Sequence, residues 1–230
     1  MSHRRAFLGS MIGGVTGAAV LAPATATTGR ILGANERIRF GLIGCGSRGK
    51  EIFRAALRCH DVEAVAVADA YTRRLNEAKA IVPGIATFKD YRALLDDKTI
   101  DAVLIATPQH LHVIHFVAAV QAGKDVYQEK TMAFNPGHAR RMRNALAGSG
   151  RVVQIGMQMN SGDGIQKVRE LVKAGSLGTV TLLETHHFRN EPYGGWLRQV
   201  PPDCNPAHVD WTAFEGEAKH VPFDADRYIN

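Results

Sequence analysis

Beyond residue 35 the hydrophobic positions switch between two spacings. Residues 38–43 form a short apolar run, and residues 62–68 form a second, β-branched run that ends at Asp69. Unbroken runs of this length read as strands buried on both faces. Apolar residues then fall at helical spacing, with Ile52, Phe53, Ala56 and Leu57 inside 46–58 and a further set over 72–81. Asp90 is placed to cap a helical turn that carries Leu94 and Leu95. Residues 102–106 predict a strand stopped by Thr107-Pro108, 111–122 a helix ended by Gly123, and 126–128 a short strand. Asn135 caps a helix over 136–147 with Pro136 at its first position, and residues 152–155 close the series as a strand. Repeated strand–helix pairs with near-continuous apolar strands predict an α/β fold. It is a doubly wound parallel sheet of Rossmann type over 36–155, with right-handed crossovers.

After Gly156 the pattern changes. Residues 162–174 read as a helix ended by Gly175. Residues 179–187 predict a longer strand with Val180, Leu182 and Leu183 set against Thr181, Glu184 and Thr185, which suits a sheet with one wet face. Residues 190–230 are rich in Pro, Gly and aromatics and show no closing set of strands. The expectation for 156–230 is a partial α/β C-terminal domain with an open sheet, a substrate and dimerisation unit that is begun and not completed.

Residues 1–30 carry a different signal. Arg4 and Arg5 precede an uncharged stretch rich in Gly, Ala, Val and Leu, and Ala22-Pro23-Ala24-Thr25-Ala26 supplies small residues for cleavage. This is the layout of a secretory signal, and its apolar run is too short and glycine-rich for a stable membrane span. The arginine pair followed by Phe7-Leu8 resembles the twin-arginine type, which implies export of an already folded protein to the periplasm.

Composition narrows the function classes. The chain of 230 residues is 45% hydrophobic and 22% charged, as soluble globular proteins are. Its net charge of +6 is scattered, without the basic stripe and interleaved aromatics of a nucleic-acid surface, so no nucleic-acid partner is expected. Cys45, Cys59 and Cys204 are too few and too irregular for a disulfide framework or a zinc site, and no metal is expected.

The chemistry begins at Gly44-Cys45-Gly46-Ser47-Arg48-Gly49, which follows the first strand and opens the first helix. In that context GxGxxG is a dinucleotide signature. Gly44 permits the tight turn, Gly46 lets backbone N–H groups approach a pyrophosphate, and Gly49 lets helix and strand pack closely. The helix N-terminus adds partial positive charge. Asp69, at the end of the second strand, is placed to accept hydrogen bonds from the adenosine ribose. A carboxylate there favours NAD over NADP, although Arg73 and Arg74 stand close enough to complicate the preference.

Further along, Ala106-Thr107-Pro108-Gln109-His110-Leu111-His112 and then Gly123-Lys124-Asp125-Val126-Tyr127-Gln128-Glu129-Lys130 follow in a fixed order behind the glycine turn and Asp69. Together with Gly175-Ser176-Leu177-Gly178 and the segment from His208 to Gly216, they resemble the Gfo/Idh/MocA oxidoreductases, the glucose-fructose oxidoreductase and inositol dehydrogenase family. The resemblance is to the exported, sugar-acting branch and spans most of 36–230. It implies hydride transfer between a nicotinamide and a sugar or cyclitol hydroxyl, with Ser47 and Arg48 near the pyrophosphate. It puts Thr107, Pro108 and His112 on the nicotinamide side, Glu129 beside the cofactor and Gln158 facing the nicotinamide. Lys130 corresponds to the lysine that contacts the substrate hydroxyl and aids proton transfer. Pairing of copies through the open sheet face makes a homo-oligomer the expectation.

Lys130 also makes sense from first principles. Oxidising a hydroxyl needs a group that takes its proton while hydride leaves the carbon, and strand carboxyl ends are where ligands bind in such sheets. Two features depart from the family. Thr131 stands where proline usually follows the Glu-Lys pair, and no match is found for the acid and histidine of the second domain, a part that normally runs well past residue 230. His208 and Asp210 lie in a different segment and do not fill that gap. Substrate contacts are expected from His186, His187, Tyr193 and Trp196. Two other readings stay open: an NAD-dependent glycosidase of the same superfamily, acting on α-N-acetylgalactosaminides, and a nucleotide-binding chain without turnover.

Overall fold

The structure, a computed structural model, describes residues 37–186, 188 and 197–230. The segment 1–30 expected to be a signal and three of the expected substrate residues, His187, Tyr193 and Trp196, lie outside the described residues. Six strands form one parallel sheet: β1 (Ile38–Ile43), β2 (Val62–Ala68), β3 (Ala86–Phe88), β4 (Ala102–Ile105), β5 (Asp125–Glu129) and β6 (Val153–Gly156). Their order, β3-β2-β1-β4-β5-β6, reverses direction between β1 and β4. That reversal opens the crevice in which doubly wound sheets bind ligands.

Helices cover both faces: α1 (Ser47–Ala56), α2 (Thr72–Ile81), α3 (Tyr91–Asp96), α4 (His112–Gln121) and α5 (Pro136–Leu146). Neighbouring residues of one strand serve opposite cores. In β4, Ala102 and Leu104 join Phe40, Phe53 and Val67 on one side, while Val103 and Ile105 join Leu94, Phe116 and Val126 on the other. A strand apolar at every position is what such a two-sided sheet needs. The expected caps form as well, Asp90 Oδ1 accepting from Arg92 N at 2.9 Å and Asn135 Oδ1 from His138 N at 2.9 Å.

Beyond β6 the structure departs from expectation. α6 (Asp163–Lys173) forms where predicted and has no buried residue. The strand expected over 179–187 is not formed across its described part, 179–186, where Leu182 and Leu183 are exposed. A strand needs a partner ladder, and no described segment offers one. The open second sheet is therefore absent among the described residues. Residues 197–230 instead fold back onto the β2–α2 end of the sheet through α7 (Trp211–Glu215) and α8 (Ala225–Ile229). Tyr71, Cys204, Val209, Trp211 and Tyr228 build a third small core there. The backbone joins in: Tyr71 bridges Val209 in antiparallel fashion, Thr72 N donates to His208 O at 3.0 Å and Asp210 N to Ala70 O at 2.8 Å.

Candidate functional site

The strand registers bring the predicted residues to one edge of the sheet. Ile43 pairs with Ala68 and with Ile105, and Ile105 pairs with Gln128. The next residues along each strand, Gly44, Asp69, Ala106-Thr107 and Glu129, therefore emerge side by side at the carboxyl ends.

Each glycine of the turn has a separate geometric reason. Gly44 has φ +93°, and a Cβ there would stand 2.8 Å from the Ala106 carbonyl carbon. A Cβ on Gly49 would run into the carbonyl oxygen of Gly44. Gly46 faces space, and a Cβ there would meet only the Arg74 guanidinium, at 3.8 Å. Among the described residues no side chain caps α1, so its N-terminus is presented to the cleft beside Gly46 and Ser47.

Asp69 is 8% exposed and is fixed by the turn it serves. Oδ2 accepts from Cys45 N at 2.6 Å and Oδ1 from Tyr71 N at 2.9 Å. Tyr228 of α8 reaches over it, its hydroxyl 3.5 Å from Oδ1. Burial pushes the Asp69 carboxyl above the usual aspartate range, opposed by the nearby Arg74 and these hydrogen bonds. Arg74 lies over the Tyr228 ring at 4.8 Å and donates to its oxygen at 3.2 Å. Asp69, Arg74, Thr107, Pro108, Phe214 and Tyr228 line a cleft of about 60 Å³ between β1, β2 and β4.

The second cluster gathers at the end of β5. Arg48 ties α1 to it, donating from Nη2 to Glu129 Oε1 at 2.9 Å and pairing with Glu51 at 2.7 Å. The hydrogen bond to Glu129 holds the Arg48 guanidinium firmly protonated. Tyr127 Oη also donates to Glu129 Oε1, at 3.3 Å, and burial with the adjacent carboxylate pushes this phenol up to about 12. Glu129 Oε2 is buried and has no partner among the described residues. A buried acceptor left open beside a glycine turn fits a ligand hydroxyl.

Lys130 follows Glu129 and is exposed. The loop carrying it is pinned twice. His112 Nδ1 lies 2.7 Å from Thr131 O and its Nε2 lies 2.8 Å from Thr107 O, so one imidazole joins the β4 and β5 loops. Gln128 Nε2 donates to Met132 O at 2.7 Å. These bonds hold the loop in which Thr131 replaces the expected proline. His112 is 1% exposed and lies between the two backbone carbonyls, its neutral ring donating to one of them at a time, so its part in the site is to position these loops. Burial keeps its ring below the usual histidine range. His115 is buried behind Thr107, with Nδ1 3.0 Å from the Thr107 hydroxyl. Gln158 lies apart from Asp69, in a wider cavity of about 770 Å³ between α1, the β5–β6 edge and α6 that Arg48 and Tyr127 also line. His186 is exposed, away from both clusters' described contacts.

The family profile described as "Oxidoreductase family, NAD-binding Rossmann fold" (Gfo/Idh/MocA) matches residues 38–157, more than half of the chain. The chain belongs to this family. Among curated Gfo/Idh/MocA relatives, an inositol 2-dehydrogenase of Klebsiella pneumoniae is 30% identical over 164 residues, 68% of this chain and 47% of its own length. A 1-carboxy-3-chloro-3,4-dihydroxycyclohexa-1,5-diene dehydrogenase of Comamonas testosteroni is 27% identical over 156 residues, 68% of this chain and 39% of its own. The chain thus spans less than half the length of these relatives. Among solved structures, the WlbA dehydrogenase of Bordetella pertussis, in complex with NADH and UDP-GlcNAcA, superposes with TM-score 0.59 at 30% identity, covering 62% of this chain and 44% of that one. A myo-inositol 2-dehydrogenase of Lactobacillus plantarum shares the fold at TM-score 0.60 and 23% identity, over 63% of this chain and 43% of its own.

Residues 197–230 add site neighbours that motif spacing does not reveal. Tyr228 and Phe214 line the cleft, and Asp203 holds Tyr71 and Arg73 next to it, all from more than a hundred residues downstream of Asp69. Phe214 falls within the His208–Gly216 segment, whereas Tyr228 and Asp203 belong to no motif of the sequence.

Proposed function

We propose that this Gfo/Idh/MocA chain binds NAD across the β1–β4 crevice and acts as a dehydrogenase on a hydroxyl of a cyclitol or sugar. The observation that carries the reading is Asp69 bonded to the backbone of the glycine turn, on the same sheet edge as Glu129-Lys130. The residues present fit the dinucleotide. Gly46 leaves the cradle that a Cβ would fill, the uncapped α1 N-terminus suits a pyrophosphate, and the open Glu129 Oε2 suits a ribose hydroxyl. When bound, the nicotinamide supplies a hydride acceptor.

The chain's own residues do the rest. Asp69 accepts from the adenosine ribose, and its repulsion of a 2′-phosphate favours NAD over NADP. Arg48 holds Glu129 in place, and His112 and Gln128 hold the loop that presents Lys130. Lys130 Nζ takes part in moving the hydroxyl proton as the carbon is oxidised. Cyclitols and sugars are the substrate class because the relatives named above include an inositol dehydrogenase and a dehydrogenase of a dihydroxycyclohexadiene. Export by the twin-arginine route is part of the same proposal, carried by Arg4-Arg5-Ala6-Phe7-Leu8.

The test is the purified full chain with NAD and a panel of cyclitols and sugars, read by NADH absorbance. Substrate-dependent NADH formation is expected. Release from a chromogenic α-N-acetylgalactosaminide without net NADH would favour the glycosidase. NAD binding with neither signal would leave a nucleotide-binding chain and overturn the dehydrogenase.

A further inference from the structure

Next to the Asp69 cleft lies another cavity, of about 150 Å³, bounded by Ser47, Lys50, Tyr71, Arg73, Arg74 and Arg198. It is phosphate-sized and has four cations on its rim, yet each cation is engaged. Lys50 pairs with Glu77, which also lines the cavity. Arg74 is spent on the Tyr228 ring and oxygen beside Asp69. Arg198 donates to Ser47 Oγ at 3.0 Å.

Arg73 is held most fully. Its Nε donates to Asp203 Oδ1 at 2.8 Å and Oδ2 at 3.0 Å, and its Nη2 approaches Oδ1 at 2.6 Å. Tyr71 Oη donates to the same carboxylate at 2.8 Å, which orients it. A fork of this kind uses the donors that would otherwise meet a phosphate. In Rossmann domains an arginine near the β2 acid is what accommodates the 2′-phosphate of NADP.

We infer that Asp203 is a specificity-determining residue: by holding Arg73 it withholds from the cavity the cation that a ribose 2′-phosphate would need, and so favours NAD. This rests on the dinucleotide reading above. It adds to it a residue 134 positions from Asp69 by sequence number, in a segment outside the glycine-turn motif. Asp69 repels the phosphate, and Asp203 removes the compensation.

The experiment is a calorimetric titration of NAD and of NADP into the full chain, as wild type, Asp203→Asn, Arg73→Ala and the double variant. Asp203→Asn keeps an acceptor for Tyr71 and removes the carboxylate charge that holds the Arg73 guanidinium. Thermal unfolding confirms that each protein is folded. Asp203→Asn is expected to tighten NADP by about tenfold while NAD stays within about twofold, since a charge-assisted phosphate contact is gained. Arg73→Ala alone is expected to leave the NADP-to-NAD ratio unchanged, and in the double variant it erases the gain. A wild type that binds NAD, with a ratio unmoved by Asp203→Asn, overturns the inference and leaves the dinucleotide reading standing. A wild type that binds NADP as tightly as NAD also overturns it. A folded wild type that binds neither overturns both.

Discussion

The hydroxyl of Tyr228 stands 3.5 Å from Oδ1 of Asp69, although 159 positions separate them. The contact joins the end of the chain to the acid at the end of β2, and it makes residues 197–230 part of the cleft wall. The Tyr228 ring is 6% exposed, packs edge-on to Tyr71 with centroids 5.6 Å apart, and meets Phe214 at 4.8 Å. Tyr228→Ala should therefore cost about 3 kcal/mol of stability, in the range for a buried aromatic cut to alanine. Tyr228→Phe should cost less, about 1–2 kcal/mol, because it keeps the ring and loses the long contact to Asp69 and the 3.2 Å bond from Arg74. Urea unfolding of the two variants checks both, and equal losses would show that ring packing is not what holds α8.

Two glycines of one turn should respond in opposite ways. A Cβ at Gly49 collides with the Gly44 carbonyl, whereas one at Gly46 meets only the flexible Arg74 head at 3.8 Å. Gly49→Ala is expected to destabilise the domain by at least about 2 kcal/mol through overpacking. Gly46→Ala should unfold within about 0.5 kcal/mol of wild type, the range for changes that disturb no packing. Thermal unfolding of the pair separates a glycine needed for packing from one kept clear for a ligand.

Stability should fall in mild acid. Burial drives His115 down to about 3 from an ordinary value of 6.5. A histidine neutral when folded and protonated when unfolded contributes stability above the unfolded value, lost as pH falls from 6.5 toward 3. The slope is up to about 1.4 kcal/mol per pH unit for one such group. His115→Gln keeps a polar partner for the Thr107 hydroxyl and has no titrating ring. Its unfolding free energy between about pH 7 and pH 5 should be flatter than that of wild type; identical slopes would mean that His115 does not govern the acid limb.

Lys130 is exposed, and its neighbours Thr131 and Met132 are the residues held by His112 and Gln128. Lys130→Met should leave NAD affinity within about twofold and lower turnover on the responding substrate by about 10²–10⁴, the usual contribution of a proton-transfer group. Steady-state rates and a binding isotherm on the same preparation decide it. A variant that keeps full turnover removes Lys130 from the reaction.

Most of the Rossmann unit was legible because its strands are buried on both sides and its helices begin and end on strong local signals. Asp90 and Asn135 mark helix starts through their side-chain acceptors and Gly123 marks an end through its positive φ, and the structure uses each as expected. β3 escaped because three residues are too few to show a period. The strand expected over 179–187 rested on alternation alone, and alternation describes a face without supplying a partner ladder. In the site, the glycine turn and Asp69 could be found from spacing, since strand length fixes which residues emerge together. Tyr228 and Asp203 could not, because their approach depends on a chain reversal more than a hundred residues away, and the His208–Gly216 segment names Phe214 without placing it at the cleft. His112 illustrates a finer limit. Its place beside Thr107 could be read from the motif, but its bond to the Thr131 carbonyl is a tertiary fact that assigns it to the loops.

The proposed dinucleotide site is built from Gly44 to Gly49 with Asp69. Calorimetric titration of NAD into the full chain, beside the folded Gly46→Ala protein, tests it most directly. Saturable binding at one site per chain is expected in wild type, with its loss in Gly46→Ala. A folded wild-type chain that takes up no NAD, or a Gly46→Ala chain that binds as tightly, would contradict it.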